Sequence, residues 1–282
     1  MKWYSYVFLS LAAFLLTMGI AYAVGSRLVF IAVLLAFLIS WIAYIPAYLF
    51  QTEKFYDLTG SIKYLLLTWF IYTLSYEFYG FNIGNLILAT LISMWTLRLG
   101  SFLFMRIHKD GEDKRFRTIK TSASQFFLTW TLSGMWVSLC SICALTAIAN
   151  PFGVTLNLIT YIGIGLFFLG FAIEVIADQQ KTAFRAISEN KDRFITSGLW
   201  AISRHPNYLG EIILWFAIAV ISFSSLSGTQ YIALISPIFT YLLLVYVSGV
   251  RMLEDRANTK WGNEPEYKEY KSKTPVLFFK IF

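Results

Sequence analysis

The 282-residue chain is expected to be all-α, a polytopic integral membrane helical bundle with about eight transmembrane helices, and three observations lead there. Hydrophobic residues make up 57% of it and charged residues only 14%, against about 25% charged in an ordinary soluble domain. Mean hydropathy is +0.62. Apolar runs at 4–24, 28–50, 62–80, 84–107, 125–149, 156–177, 207–226 and 230–250 each approach the roughly 20 residues that carry a helix across a hydrocarbon core.

The first run follows Lys2 and ends in Ala21-Tyr22-Ala23, a pattern shared with cleavable secretory signals. Losing residues 1–23 would leave seven spans in unchanged orientation. The runs at 28–50 and 62–80 are separated by the polar stretch 51–61, and the run at 84–107 leads into the basic cluster Arg106, Lys109, Lys114, Arg115, Arg117 and Lys120. Within the run at 125–149, Cys140 and Cys143 form a C-x-x-C without nearby His or further Cys. Two small buried thiols are expected there, and no metal site. Gly163, Gly165 and Gly170 in the run at 156–177 do not make a G-x-G-x-x-G, follow no strand and suit helix packing.

Net charge is +7, yet the 23 Lys and Arg alternate along the spans. Lys2, Lys54 and Lys63, the 106–120 cluster, Lys181 to Arg204, and Arg251 to Lys280 fall on one side of the eight-span arrangement, and Arg27 alone on the other. Short loops rich in Lys and Arg stay cytoplasmic, so both termini are expected inside. The charge thus reflects orientation and excludes nucleic acid as the expected partner; the expected partner is the bilayer, with no obligate protein partner evident. No repeat, low-complexity stretch or linker divides the chain, which reads as a single membrane domain over 1–282, with extra N-terminal helices in 1–50.

Ionisable groups at membrane depth cost at least ~2.5–3.5 kcal/mol on insertion scales and normally face a cavity or a partner. Arg98, Glu174 and Glu211 are such groups near inner helix ends, whereas Glu77 lies near an outer end. A buried ion pair that only joins helices is the structural alternative. The densest polar segment is Ser203-Arg204-His205-Pro206-Asn207-Tyr208-Leu209-Gly210-Glu211. Pro206 suits the first turn of a helix, whose free N–H groups favour anions. Asn207 and Glu211 are four apart and share a face.

This segment resembles the cofactor signature of the membrane steroid 5-alpha-reductase superfamily (the 3-oxo-5-alpha-steroid 4-dehydrogenase C-terminal domain), and the whole chain resembles its bacterial DUF1295-type branch over roughly 50–282. Phe55-Tyr56-Asp57-Leu58-Thr59-Gly60-Ser61, Trp95-Thr96-Leu97-Arg98-Leu99-Gly100, Gly111-Glu112-Asp113-Lys114-Arg115-Phe116, Leu253-Glu254 and Tyr267-Lys268-Glu269-Tyr270 match in order. The resemblance implies an NADPH-dependent reductase that saturates a carbon–carbon double bond conjugated to a carbonyl in a steroid-like or other lipophilic substrate.

By the same resemblance, Arg98, Asp178, Arg185, Arg193, Asn207, Tyr208 and Glu211 line the NADPH site, with Arg204, His205, Arg251, Glu254, Tyr267 and Tyr270 as further members. Guanidinium groups grip phosphate by paired N–H bonds, which fits the arginines. The catalytic glutamate of the reductases falls at Asp57 and their tyrosine at Trp95, which donates an N–H but gives up no phenolic proton. Tyr56 is the neighbouring phenol. A helix N-cap is the structural alternative for Asp57.

Two other functions fit the same segments. Isoprenylcysteine-type membrane methyltransferases carry a related R-H-P-x-Y-x-G and bind S-adenosylmethionine. A non-enzymatic lipid-binding or transport protein is the second, although no pair of broken spans in matching halves marks a transport site.

Overall fold

A computed structural model describes residues 2–278. Met1 and residues 279–282, including Lys280 of the inner basic tail, lie outside the described residues. The helices are α1 (Trp3–Ala23), α2 (Arg27–Leu49), α3 (Tyr56–Tyr79), α4 (Ile83–Asp110), α5 (Phe116–Ile119), α6 (Ala123–Ile148), α7 (Leu158–Ala186), α8 (Pro206–Phe223), α9 (Ile235–Leu242), α10 (Val250–Trp261) and α11 (Pro265–Lys273). About 80% of the chain is helical, with no strands among the described residues.

Among the described residues, seven segments are long and apolar enough to cross a membrane: α1, α2, α4, α6, α7, α8 and the stretch Gly228–Trp261. The remaining expected span forms the 24-residue α3, whose apolar character is diluted by Asp57, Lys63, Glu77 and several Thr, Ser and Tyr. Two further details depart from the apolar runs. The helix α7 continues past 177 to Ala186, because Asp178, Gln179, Gln180 and Lys181 have no helix breaker among them. The run at 230–250 is not one helix. It is a 3-10 segment (Gly228–Leu234), α9, a π turn (Leu243–Val247) and then α10. Pro237 lacks an N–H and so restarts the helix in the first turn of α9.

Instead of a single cluster, the backbone groups into two compact units, one of Met1–Thr160 with Ala219–Ser236 and the other of Tyr161–Ile218 with Pro237–Phe282. In the first unit α6 is the centre, packing on α1, α2 and α3. Cys140 and Cys143 are buried free thiols in it, as expected of packing residues. Asn85 ties α4 to α3 and α6, donating to Ser75 Oγ and to the Ile148 carbonyl, both at 3.3 Å. The basic stretch after α4 is ordered: buried Glu53 accepts from the Asp113 N–H at 3.0 Å and from Lys120 Nζ at 2.7 Å.

In the second unit α7 and α8 approach at two glycines. A Cβ on Gly210 would lie 2.6 Å from the Gly170 carbonyl oxygen and from the Glu174 nitrogen. Gly170 is therefore a packing residue, as expected, whereas an added Cβ on Gly165 would meet nothing within 4 Å, so the packing expectation does not hold at that position. The π turn, a geometry often found at functional positions, leads into α10. The tail after α11 returns to the segment before α8, with Arg204 N–H donating to the Pro275 carbonyl at 2.9 Å and Ser203 Oγ to the Leu277 carbonyl at 2.9 Å.

Candidate functional site

In the second unit, α8 starts at Pro206, so the preceding residues enter the helix from a strapped, non-helical segment. His205 is buried and its Nε2 lies 2.8 Å from Glu254 Oε1 on α10. The other Glu254 oxygen is 3.2 Å from Arg204 Nη2. One carboxylate thus holds two successive side chains. Burial pushes the His205 imidazole below its ordinary value, outweighing the attraction of Glu254.

These residues form one wall of a cavity of about 280 Å³, near the small end of the range for ligand sites. Its basic lining is Lys181 and Arg185 from α7, Arg193 from the following loop, Arg204, and Arg256 and Lys260 from α10, against the single carboxylate of Glu254. Its aromatic lining is Phe184, Phe194, Trp200, Trp261, Tyr267 and Tyr270. Phe194 packs edge-on against both Trp261 and Tyr267, at 5.7 and 5.0 Å between centroids. Lys181 Nζ sits 4.5 Å from the Trp200 ring. Burial raises the phenols of Tyr267 and Tyr270, which keeps both protonated at neutral pH. Tyr270 spends its proton on the Trp200 carbonyl at 2.6 Å.

Arg185, Arg193, Arg204, His205, Glu254, Tyr267 and Tyr270, all expected from the sequence, come together here. Asp178, Asn207, Tyr208, Glu211 and Arg251 do not line this cavity. Asn207 Nδ2 donates to Asp178 Oδ1 at 3.2 Å, joining α8 to α7. Glu211 and Glu174 are buried, Tyr208 packs near His205 and against the core of Leu209, Val250 and Leu277, and Arg251 is exposed. Lys181, Arg256, Lys260, Trp200 and Trp261 are lining residues that the sequence reading did not select. The spacing of four in Lys181/Arg185 and Arg256/Lys260 would have signalled two basic helix faces.

Three buried polar atoms in this segment have no hydrogen-bond partner among the described residues: Arg204 Nε, His205 Nδ1 and Asn207 Oδ1. Buried polar groups are nearly always satisfied, so one donor and two potential acceptors here are suited to a ligand. No group of three or more His, Cys, Asp or Glu among the described residues is arranged to hold a metal ion.

The remaining candidates are in the first unit. Asp57 is in the first turn of α3, not at its N-cap, which is Phe55. The capping alternative is therefore replaced by a favourable position at the positive end of the helix. Asp57 also lies in the field of Arg115 and Arg106. Trp95 is buried and meets Tyr64 edge-on at 5.2 Å. Arg98 is half-buried, its guanidinium 5.2 Å from the Phe102 ring centroid. Tyr56 donates its hydroxyl to the Thr129 carbonyl at 3.0 Å and packs on Phe116 and Trp130, which commits it to joining α3 to α6.

Fold and site together define a polytopic helical membrane protein in which one unit carries a cation-rich, aromatic-walled cavity. The chain belongs to the DUF1295 family, described as "Protein of unknown function", whose match covers residues 43–274. No curated protein and no solved structure matches it. The family match takes in Tyr56 and Asp57 as well as the whole 203–211 segment.

Proposed function

We propose that this protein is an NADPH-dependent membrane oxidoreductase that reduces a carbon–carbon double bond conjugated to a carbonyl in a steroid-like or other lipophilic substrate, embedded in a bacterial inner membrane with both termini cytoplasmic. The observation that carries the reading is the cavity of six basic side chains and one carboxylate with aromatic walls. It has the chemistry of a phosphorylated nucleotide site, since cations meet phosphate and flat rings meet a flat base. Its volume suits part of a dinucleotide and not the whole.

In this reading Lys181, Arg185, Arg193, Arg204, Arg256 and Lys260 hold phosphate, and the Arg204 Nε–H gains an acceptor. Asn207 Oδ1 and His205 Nδ1 accept from ribose hydroxyl or amide N–H groups. NADPH supplies hydride when bound. Asp57 acts on the substrate carbonyl, where a carboxyl proton stabilises the negative charge that develops on oxygen. Trp95 and Tyr56 belong to the same unit, and the Tyr56 bond to Thr129 gives it a positioning role.

The same cavity weighs against S-adenosylmethionine, whose sulfonium would enter among an excess of positive charge. Titration of the detergent-purified protein with each cofactor separates the two. NADPH is expected to bind and to lose affinity about ten- to a hundredfold in Arg204→Ala, the usual effect of deleting a charge-assisted contact, and by less in Asn207→Ala, which removes a neutral one. Binding of S-adenosylmethionine without NADPH would give the methyltransferase reading, and neither would return the protein to the non-enzymatic class.

A further inference from the structure

The first unit contains an ionisable group that no role above uses. Lys63 is fully buried on α3, and at 1.5 Å per residue it sits about 10 Å along the helix from Tyr56. Its Nζ donates to Ser40 Oγ on α2 at 2.7 Å and to Ser133 Oγ on α6 at 2.8 Å. Ser40 sends its own proton to the Ala36 carbonyl at 2.9 Å, so its oxygen is a pure acceptor for the lysine. Among the described residues no carboxylate forms an ion pair with Lys63. An ammonium removed from water and held only by neutral hydroxyls is costly, and proteins ordinarily pair such charges.

The α6 face that carries Ser133 adds a further donor. Trp130 is three residues from Ser133 on α6, so the two share a face, and its buried Nε1–H has no partner among the described residues. A lysine without an anionic partner and an indole N–H without an acceptor are complementary to an oxyanion.

We propose that Lys63, with Ser40 and Ser133, forms a binding site inside the first unit for the carboxylate of a lipid-soluble acid, the ligand itself supplying the missing counter-charge. A carboxylate is the smallest oxyanion head that an acyl chain carries. This site does not depend on the nucleotide cavity of the second unit.

The test uses the full-length protein in detergent and the fluorescent fatty acid cis-parinaric acid, displaced by oleate or by methyl oleate. The wild type should prefer oleate over its neutral ester by about ten- to a hundredfold, the effect of a charge-assisted contact. Lys63→Met, which keeps length and removes charge, should abolish that preference while leaving NADPH titration unchanged. Equal displacement by acid and ester in the wild type, or a preference retained in Lys63→Met, would overturn the proposal. Should Lys63→Met fail to fold, Ser133→Ala and Ser40→Ala read the same quantity: a reduced preference supports the site, and an unchanged one removes it.

Discussion

His205 and Glu254, forty-nine positions apart, meet at 2.8 Å on the wall of the basic cavity. The carboxylate reaches Arg204 with its second oxygen, so α10 and the segment leading into α8 are joined by a fork of two interactions. That fork orders the side chains whose remaining atoms, Arg204 Nε and His205 Nδ1, lack partners among the described residues.

Glu254→Gln keeps the shape and removes the charge. Losing an ionised acceptor for mostly buried donors costs about 1–3 kcal/mol, so the melting temperature in detergent should fall and NADPH affinity should fall with it. An unchanged melting curve would mean that the fork is not held in solution.

The buried imidazole sets a pH dependence. Because the folded state holds the His205 pKa below its unfolded value, the unfolded chain takes up the proton first. The stability from the neutral imidazole is present above about pH 6.5 and is lost as pH falls through that value. Melting temperatures measured from pH 8 down to pH 5.5 should decline in the wild type and decline less in His205→Gln.

Gly210→Ala should fail through packing alone. Its Cβ would meet backbone atoms of α7 at 2.6 Å, and overpacking of this kind costs about 1–3 kcal/mol. Thermal denaturation should register the loss, whereas Gly165→Ala, at an open position on the same helix as Gly170, should be silent.

Asp57→Asn separates chemistry from structure. Asn at a first-turn position gives up the charge–dipole attraction, worth about 0.3–1 kcal/mol, so folding and NADPH binding should persist. Turnover with a substrate found by lipid screening should drop by about 10²–10⁴-fold, the range for loss of a general acid. Full activity would remove Asp57 from the reaction.

Much of this architecture was legible because the bilayer constrains composition so strongly. Apolar runs of span length became helices, apart from the broken run at 230–250, and Pro206 opened α8, where its missing N–H costs nothing. The Arg204–Glu211 segment stood out because so many functional groups were adjacent in sequence. Lys181, Arg256 and Lys260 were not legible, since they join the cavity only when α7 extends past the apolar run and when α10 restarts after an irregular stretch. Lys63 was counted among the basic residues of the inner side and is instead buried. Positive charge near a span end reads as orientation, and only packing tells whether its side chain faces water or the bundle.

The π turn at Leu243–Val247 makes segment length a determinant of function in its own right. A helix turns about 100° for each residue, so a one-residue deletion there would swing everything downstream around the axis. Glu254 would leave Arg204 and His205, while Arg256 and Lys260 would leave the cavity, with no functional side chain replaced. Chains of this family that keep every polar residue but differ by one position between Pro237 and Arg251 would be expected to have a different, or absent, anion site.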